Sequence, residues 1–481
     1  MKTTTKLLAI LLILPILTTA QDSNWIYANM NVENALDLKN SNPNGIEILS
    51  VQNEQAAVYI QKNVAHQLHD NVVVHGPGFI FRKSEEEVIS FIQKDHTQRR
   101  NVMDFTITED AFVTQCLDLV NEDEIEETIL TLQDYGTRYH QRSEAEDAIY
   151  DLRDKWQTFA TNAGRTDISF EIIEHEGTPM PSLIMTIPGS TEPDEYVIIG
   201  GHADSYTGFP NIAPGADDNA SGIGTITEVI RVLMEANYHP QKTVQIMAYA
   251  AEEVGLIGSD EIAEQYYNDD KNVIAYVQFD MTNYNGSMDD IAIIEDSYTS
   301  SDLNIYLMEL MEHYNATGSH TFTYTSSACN YACSDHASWK TRGYLASFPF
   351  EARFNEDNPY IHSSNDLYSV SGNSEHAAKF TKLGLEFIIE TAKTSTMSTS
   401  EVMKPVVNLV IKNKELIYSI ENSIEQLSSL TILDASAKRT LTHSNLKSSG
   451  RISIKTLPIG IYLAVFKDIN GNSFTKKFLV K

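Results

Sequence analysis

From Leu117 to Ala392, short apolar runs rich in Val, Ile, Tyr and Phe alternate with helical patterns, and that alternation admits few folds. The region is expected to be α/β, with a mostly parallel central sheet and helices on both faces. The expected strands are Tyr196–Gly200, Thr243–Tyr249, Val273–Phe279 and Tyr344–Phe348, with Ile168–Ile173 and Ser182–Ile187 paired at an edge. Between the first two lies a helix over Ser221–Asn237, whose Ile223, Ile226, Ile230 and Leu233 share one face.

Open parallel sheets bind ligands beyond the carboxyl ends of their strands. Residues of one chemical kind recur at those ends. His202 and Asp204 follow the first strand, Glu252 and Glu253 the second and Asp280 the third; His362 comes after the last. The loop Pro214–Asn219 before the helix adds Asp217 and Asp218. Singly, each has an ordinary explanation as a helix cap or a structural histidine. Together, so many carboxylates in one crevice would repel and raise one another's pKa unless cations sat among them. A mixed imidazole and carboxylate set suits zinc, and manganese or cobalt could take the same ligands.

With 481 residues the chain exceeds what one core usually supports, ~250–300 residues, so further units are expected. Lys2 and Lys6 precede the apolar run Leu7–Leu17 and the small residues Thr18-Thr19-Ala20, so 1–20 reads as a cleaved signal peptide and the protein as secreted and extracellular. Residues 21–116 lack clustered catalytic residue types and read as the pro-segment of a zymogen. His66 and His69 form an HxxH pair there, expected on a solvated helix face because no carboxylate stands at suitable spacing. The α/β unit covers 117–392, a Ser/Thr-rich linker 393–404, and 405–481 has the alternating texture of a small all-β sandwich ending in a hairpin, Ile461–Lys467 and Ser473–Val480. A formal net charge of −31 opposes binding to nucleic acid or anionic membranes. Cys329 and Cys333 stand close enough to bridge in an oxidising compartment, which leaves Cys116 over.

In the α/β unit the segments GGHADS (Gly200–Ser205), APGADDNASG, AYAAEEVGLIGS, FDMTNY, CNYACSDHASW and NPYIHSSND occur in order, and with them the chain resembles the secreted bacterial leucyl aminopeptidases, two-zinc relatives of glutamate carboxypeptidase and glutaminyl cyclase. The resemblance implies a fold of zinc-exopeptidase type binding two Zn2+. Asp218 would bridge the ions, Glu253 and His362 would complete one site, and His202 and Asp280 the other. Asp204 would orient His202; Glu252 would be the general base toward water held between the metals; Tyr331 would help stabilise the oxyanion. Met281, Ile294, Phe348, Phe350, Phe354 and Ile361 match a greasy pocket for a Leu- or Phe-like first residue. Two departures from the pattern are Asp357, where close relatives carry an aromatic, and a shorter loop between His202 and Asp218.

The implied partners are peptides with a free N-terminus, and a monomer is expected. The ending LPIGIYLAVFKDINGNSFTKKFLVK resembles β-sandwich sorting domains of the type IX secretion route, which implies that machinery as a second partner, ahead of the competing reading as a carbohydrate- or surface-binding module. The alternatives are a carboxypeptidase or a glutaminyl cyclase on the same scaffold, or a binding module without chemistry. The last predicts missing ligands, and all five are present with the base. Against a carboxypeptidase, only Arg353 stands out as a cation for a terminal carboxylate.

Overall fold

In the computed structural model the chain divides after Ser395 into two units. The structure describes residues 24–71, 75–94, 106–395, 406–412, 414–421, 427–434, 438–447, 449–468 and 473–480. The expected signal peptide and most of the linker therefore lie outside the described residues.

The first unit opens with a small α/β domain. Strands β1 (Trp25–Asn31), β2 (Ile46–Gln52), β3 (Gln55–Gln61) and β4 (Ile80–Arg82) form an antiparallel sheet in the order β2-β3-β1-β4. Helices α1 (Val32–Ser41), α2 (Lys62–Asn71) and α3 (Glu85–Gln93) accompany them. The domain has its own core, including Ala28, Met30, Leu38, Val58 and Ile60. His66 is half-buried instead of lying on a fully solvated face: its ring stacks on Tyr206 with centroids 5.7 Å apart, while the His69 side chain lies outside the described residues.

The domain is docked through buried polar contacts. Arg82 and Arg342 share the carboxylate of Asp260, Phe81 N–H donates to Gly255 O at 3.0 Å, and Gln55 Nε2 donates to the Tyr298 hydroxyl at 2.7 Å. Helix α4 (Asp110–Leu117) contributes Val113, Cys116 and Leu117 to the large core that follows, so the last residues of the expected pro-segment pack with the α/β unit. Burial pushes the Cys116 thiol up to about 12, which makes it an inert core residue.

That core forms around six strands: β5 (Ser169–Ile173), β6 (Ser182–Ile187), β7 (Glu192–His202), β8 (Lys242–Tyr249), β9 (Asn272–Gln278) and, further along the chain, β12 (Ala346–Ser347), in the order β12-β9-β7-β8-β6-β5. The four strands from β12 to β8 are parallel, and β6 and β5 add an antiparallel edge. Alternation divides the strand residues between two layers. Val197 and Ile199 of β7 face the cluster shared with α5 (Glu122–Gln133), α6 (Ser143–Asn162), α7 (Ala220–Glu235), α9 (Ser301–Tyr314) and α11 (Glu375–Ala392). Ile198 faces α8 (Ile257–Asn268) and α10 (His336–Lys340).

Helix α7 differs from the expected one-sided helix, for nearly its whole circumference is buried. Its second face is made of small polar residues that find partners: Thr227 accepts from Trp156 Nε1 at 3.0 Å, and Thr225 meets Thr282 at 2.9 Å. Polar periodicity alone cannot tell such a satisfied buried face from a wet one.

A second, three-stranded sheet has no counterpart among the expected strands. It joins β10 (Ile291–Ile294), β11 (Tyr324–Ser327) and β13 (Pro349–Phe350) in the order β11-β10-β13. In the C-terminal unit, β14 (Val406–Lys412), β15 (Glu415–Glu421) and β18 (Ser449–Ser453) form one antiparallel sheet. The other combines β16 (Leu427–Asp434), β17 (Arg439–Leu446), β19 (Gly460–Asp468) and β20 (Ser473–Val480). Leu416, Tyr418, Leu430, Ile432 and Phe466 meet between the sheets as a sandwich core. Among the described residues no helix is long and apolar enough to cross a membrane.

Candidate metal centre

Because β7, β8 and β9 are parallel and in register, with Gly200 opposite Met247 and Gln278, their carboxyl ends open on one side. His202 ends β7, Glu252 and Glu253 form a short turn after β8, and Asp280 follows β9. Asn219 locks this rim together. It caps α7 by accepting from Gly222 N–H at 2.9 Å, donates to Phe279 O at 3.1 Å and accepts from Met281 N–H at 3.2 Å. Gly201 and Gly222 permit that closeness, since a Cβ on either would lie 2.4 or 2.2 Å from Phe279 O.

The five candidate ligands converge. His202 Nε2 lies 3.2 Å from both Asp218 Oδ1 and Asp280 Oδ1; His362 Nε2 lies 2.9 Å from Asp218 Oδ2 and 3.5 Å from Glu253 Oε2. Asp218 thus stands between two groups, His202 with Asp280 and His362 with Glu253, each able to place its ligand atoms around one ion. Neither Asp218 oxygen makes a hydrogen bond of good geometry, although the residue is buried. Buried carboxylates are normally satisfied, so this donor set fits metal better than it fits a closed hydrogen-bond network.

Asp217 diverges from its neighbour, accepting from Asn283 N–H at 3.1 Å and Asn358 Nδ2 at 3.0 Å. Burial pushes Asp217 up to about 6 against the hydrogen bonds it accepts. Asp218 feels the same burial, but His202 and His362 hold it well below the usual carboxylate range.

Asp204 does more than orient a histidine. Its Oδ1 lies 3.4 Å from His202 Nδ1, and its two oxygens accept from Glu252 N–H at 3.0 Å and Glu253 N–H at 3.3 Å. Glu252 itself is fully buried with both carboxylate oxygens free of hydrogen bonds. Burial pushes it well above the carboxylate range; His202 opposes the rise and Glu253 adds to it. Ala251, Met281 and His362, each at or beside a site residue, hold left-handed backbone at φ 55°, 51° and 54°. Such strain costs ~1–3 kcal/mol per residue and gathers where function requires it.

The six expected pocket residues join one apolar cluster: Met281, Ile294, Phe348 and Phe350 are buried, and Phe354 and Ile361 pack against them. The Cys329–Cys333 disulfide and Tyr331 belong to the same cluster. Asp357 turns its carboxylate to the backbone, accepting from Asn355 N–H at 2.8 Å.

Three further residues serve the site without having stood out in the sequence. Arg138, fully buried, donates to the carbonyls of Leu132, Ala203, Pro214 and Gly215 at 2.7–2.9 Å and so ties the loop of His202 to that of Asp218. Asp366 accepts from Asp217 and Asp218 N–H at 3.0 and 3.1 Å. It ends the NPYIHSSND segment, so its signal was present but unassigned. The third, His75, comes from the small N-terminal domain, where no catalytic residue was expected, and its Nε2 lies 3.3 Å from Asp280 Oδ2. Its signal was the turn sequence His75-Gly76-Pro77-Gly78.

Peptidase family M28 matches residues 182–386. A probable aminopeptidase of Saccharomyces cerevisiae is 33% identical over 265 residues, 53% of this chain and 69% of the relative. A probable leucine aminopeptidase of Arthroderma benhamiae is 30% identical over 308 residues, 63% of this chain and 81% of the relative. The chain belongs to peptidase family M28. Among solved structures, the LapA aminopeptidase of Legionella pneumophila superimposes with a TM-score of 0.67 at 28% identity, covering 77% of this chain and 99% of its own. With such relatives this M28 member is a leucine-aminopeptidase-like peptide hydrolase, and its buried set of imidazoles and carboxylates is of the kind that suits zinc.

Proposed function

We propose that the protein is a secreted aminopeptidase that uses two zinc ions and removes large apolar residues, such as Leu, from the free N-terminus of peptides. The observation that carries this reading is the convergence of His202, Asp218, Glu253, Asp280 and His362 beside an unpartnered Glu252 and an apolar cluster. When bound, such a metal pair acts as a Lewis acid on a carbonyl and makes water nucleophilic near neutral pH. Glu252 takes the proton from the attacking water as its oxygen bonds to the scissile carbon, then delivers it to the amine nitrogen as the C–N bond breaks. Asp204 holds the turn of Glu252 and Glu253 against His202. Tyr331 donates a hydrogen bond to the oxyanion, and the cluster around Phe348 and Phe350 accepts the first side chain. A carboxypeptidase is disfavoured because Arg353 is committed to Asp289 at 3.0 Å and to Thr325 at 2.7 Å.

A panel of chromogenic and peptide substrates tests the reading. Leucyl and phenylalanyl substrates should be hydrolysed from the free N-terminus, charged first residues poorly and N-acetylated peptides not at all. Equal turnover of blocked and free peptides would sink it.

We further propose that the C-terminal sandwich serves export through type IX-like machinery. The proposal is supported by its separate core and by the resemblance of its last strands to sorting domains. A chain ending after Thr396 should keep its specific activity and fail to leave its native host. Normal export of that chain would remove the assignment.

A further inference from the structure

Among the described residues, the turn His75–Gly78 carries the N-terminal domain to the candidate metal ligands. Gly76 and Gly78 adopt φ of 68° and 74°, open only to a residue without a Cβ at low cost, and they fold His75–Gly78 tightly against the disulfide loop. A Cβ on Gly76 would lie 2.2 Å from Cys333 O, so the turn sits directly on that backbone. The fit drives the His75 imidazole inward. Its Nε2 stands 3.3 Å from Asp280 Oδ2 and 3.9 Å from Asp218 Oδ1, and with His202 these groups can place their ligand atoms around one ion. The side chain is 1% exposed, and neither ring nitrogen makes a hydrogen bond of good geometry. A buried imidazole aimed at two carboxylates in this way has the surroundings of a metal ligand.

The same turn takes up the other parts of the site. Tyr331 donates its hydroxyl proton to His75 O at 2.5 Å and accepts from His75 N–H at 3.2 Å, so the hydroxyl assigned to the oxyanion is held by backbone. The imidazole lies 5.6 Å from the Phe350 ring and 6.3 Å from Phe348, within the cluster assigned to the first side chain of a peptide. One residue thus meets the metal ligands, the oxyanion donor and the specificity pocket.

We propose that His75 closes the centre as an additional ligand to the metal held by His202, Asp218 and Asp280, occupying the place of a substrate's first residue until the N-terminal domain withdraws. The proposal rests on the aminopeptidase reading for its kinetic consequence and on the geometry alone for the ligation. Withdrawal must break the contacts of Arg82 with Asp260 and of Phe81 with Gly255, which keep the turn in place.

The experiment compares the full chain from Gln21 with H75A and H75Q, each stripped of metal and reloaded with Co2+ for spectroscopy or with zinc for kinetics. Both substitutions should alter the visible Co2+ absorption, because one nitrogen donor leaves the ion. If the open form is the minor state at ~0.1–10% of molecules, opening the site should raise kcat/KM on a leucyl substrate ~10- to 1,000-fold. An unchanged Co2+ spectrum in both variants overturns the ligation whatever the kinetics. A changed spectrum with equal or lower kcat/KM makes His75 a working ligand and overturns its role as a plug. A changed spectrum without hydrolysis of any free peptide by any of the three proteins leaves the ligation standing and sinks the aminopeptidase reading instead. H75Q, which keeps a polar side chain in the turn, guards against a folding defect peculiar to H75A.

Discussion

Glu252→Gln is expected to retain its full metal content while kcat falls by at least the ~10²–10⁴ that general-base catalysis supplies, with KM changing much less. The two neighbours Glu252 and Glu253 face different surroundings: Glu253 approaches His362 at 3.5 Å, whereas the Glu252 oxygens are buried without a hydrogen bond. Their backbone N–H groups share the Asp204 carboxylate, so the exchange to Gln disturbs neither the turn nor His202. Glu253→Gln should behave differently, because weakening a ligand lowers metal occupancy, and part of its activity should return with added zinc. Metal analysis and steady-state kinetics of both proteins, side by side, separate base from ligand. Zinc loss and zinc rescue in Glu252→Gln would reverse the assignment, and full activity would end the proposed mechanism.

The second large effect is expected at Asp218. Its oxygens face His202 at 3.2 Å and His362 at 2.9 Å, and it belongs to both candidate ligand groups. Asp218→Asn should therefore lose metal from both positions together, while Glu253→Gln and Asp280→Asn each lose one. Substituting even the outer partners of metal ligands costs ~10–100-fold in affinity, so the fall in zinc affinity for a shared carboxylate should reach at least ~100-fold. The loop itself should persist, since Asp366 holds Asp218 through its backbone N–H. Zinc titration of the stripped variant, followed by metal counting, reads the result. One position filled at wild-type affinity would show that Asp218 serves a single ion.

How much of the fold and site is legible in the sequence depends on whether a signal is local. Strand and helix periods are carried within each segment, and β7, β8, β9 and α7 stand close to where the apolar runs place them. The candidate ligands can be collected from the sequence because parallel strands deliver their carboxyl ends to one side. The expected edge pair is also found, with β5 running antiparallel to β6. The sheet of β10, β11 and β13 is not, because its strands are only two to four residues long and carry no period.

By itself the sequence determined the α/β class, the strand ends that carry the chemistry and the separate strand-rich ending, since each follows from spacing within one segment. Tertiary structure supplied the physical reason that Asp218, the aspartate to which the resemblance points, faces the centre and Asp217 does not: the hydrogen bonds from Asn283 and Asn358 draw Asp217 aside, and both come from elsewhere in the chain. It also decided that Arg138 would bind the ligand loops together and that His75 would enter from another domain. The physical reason is that apolar burial is non-directional and shows in sequence as a period, whereas a contact between two separately formed cores depends on how their surfaces meet. The turn at His75–Gly78 lies against Cys333 only because both domains have folded and docked, and no repeat within either segment records it.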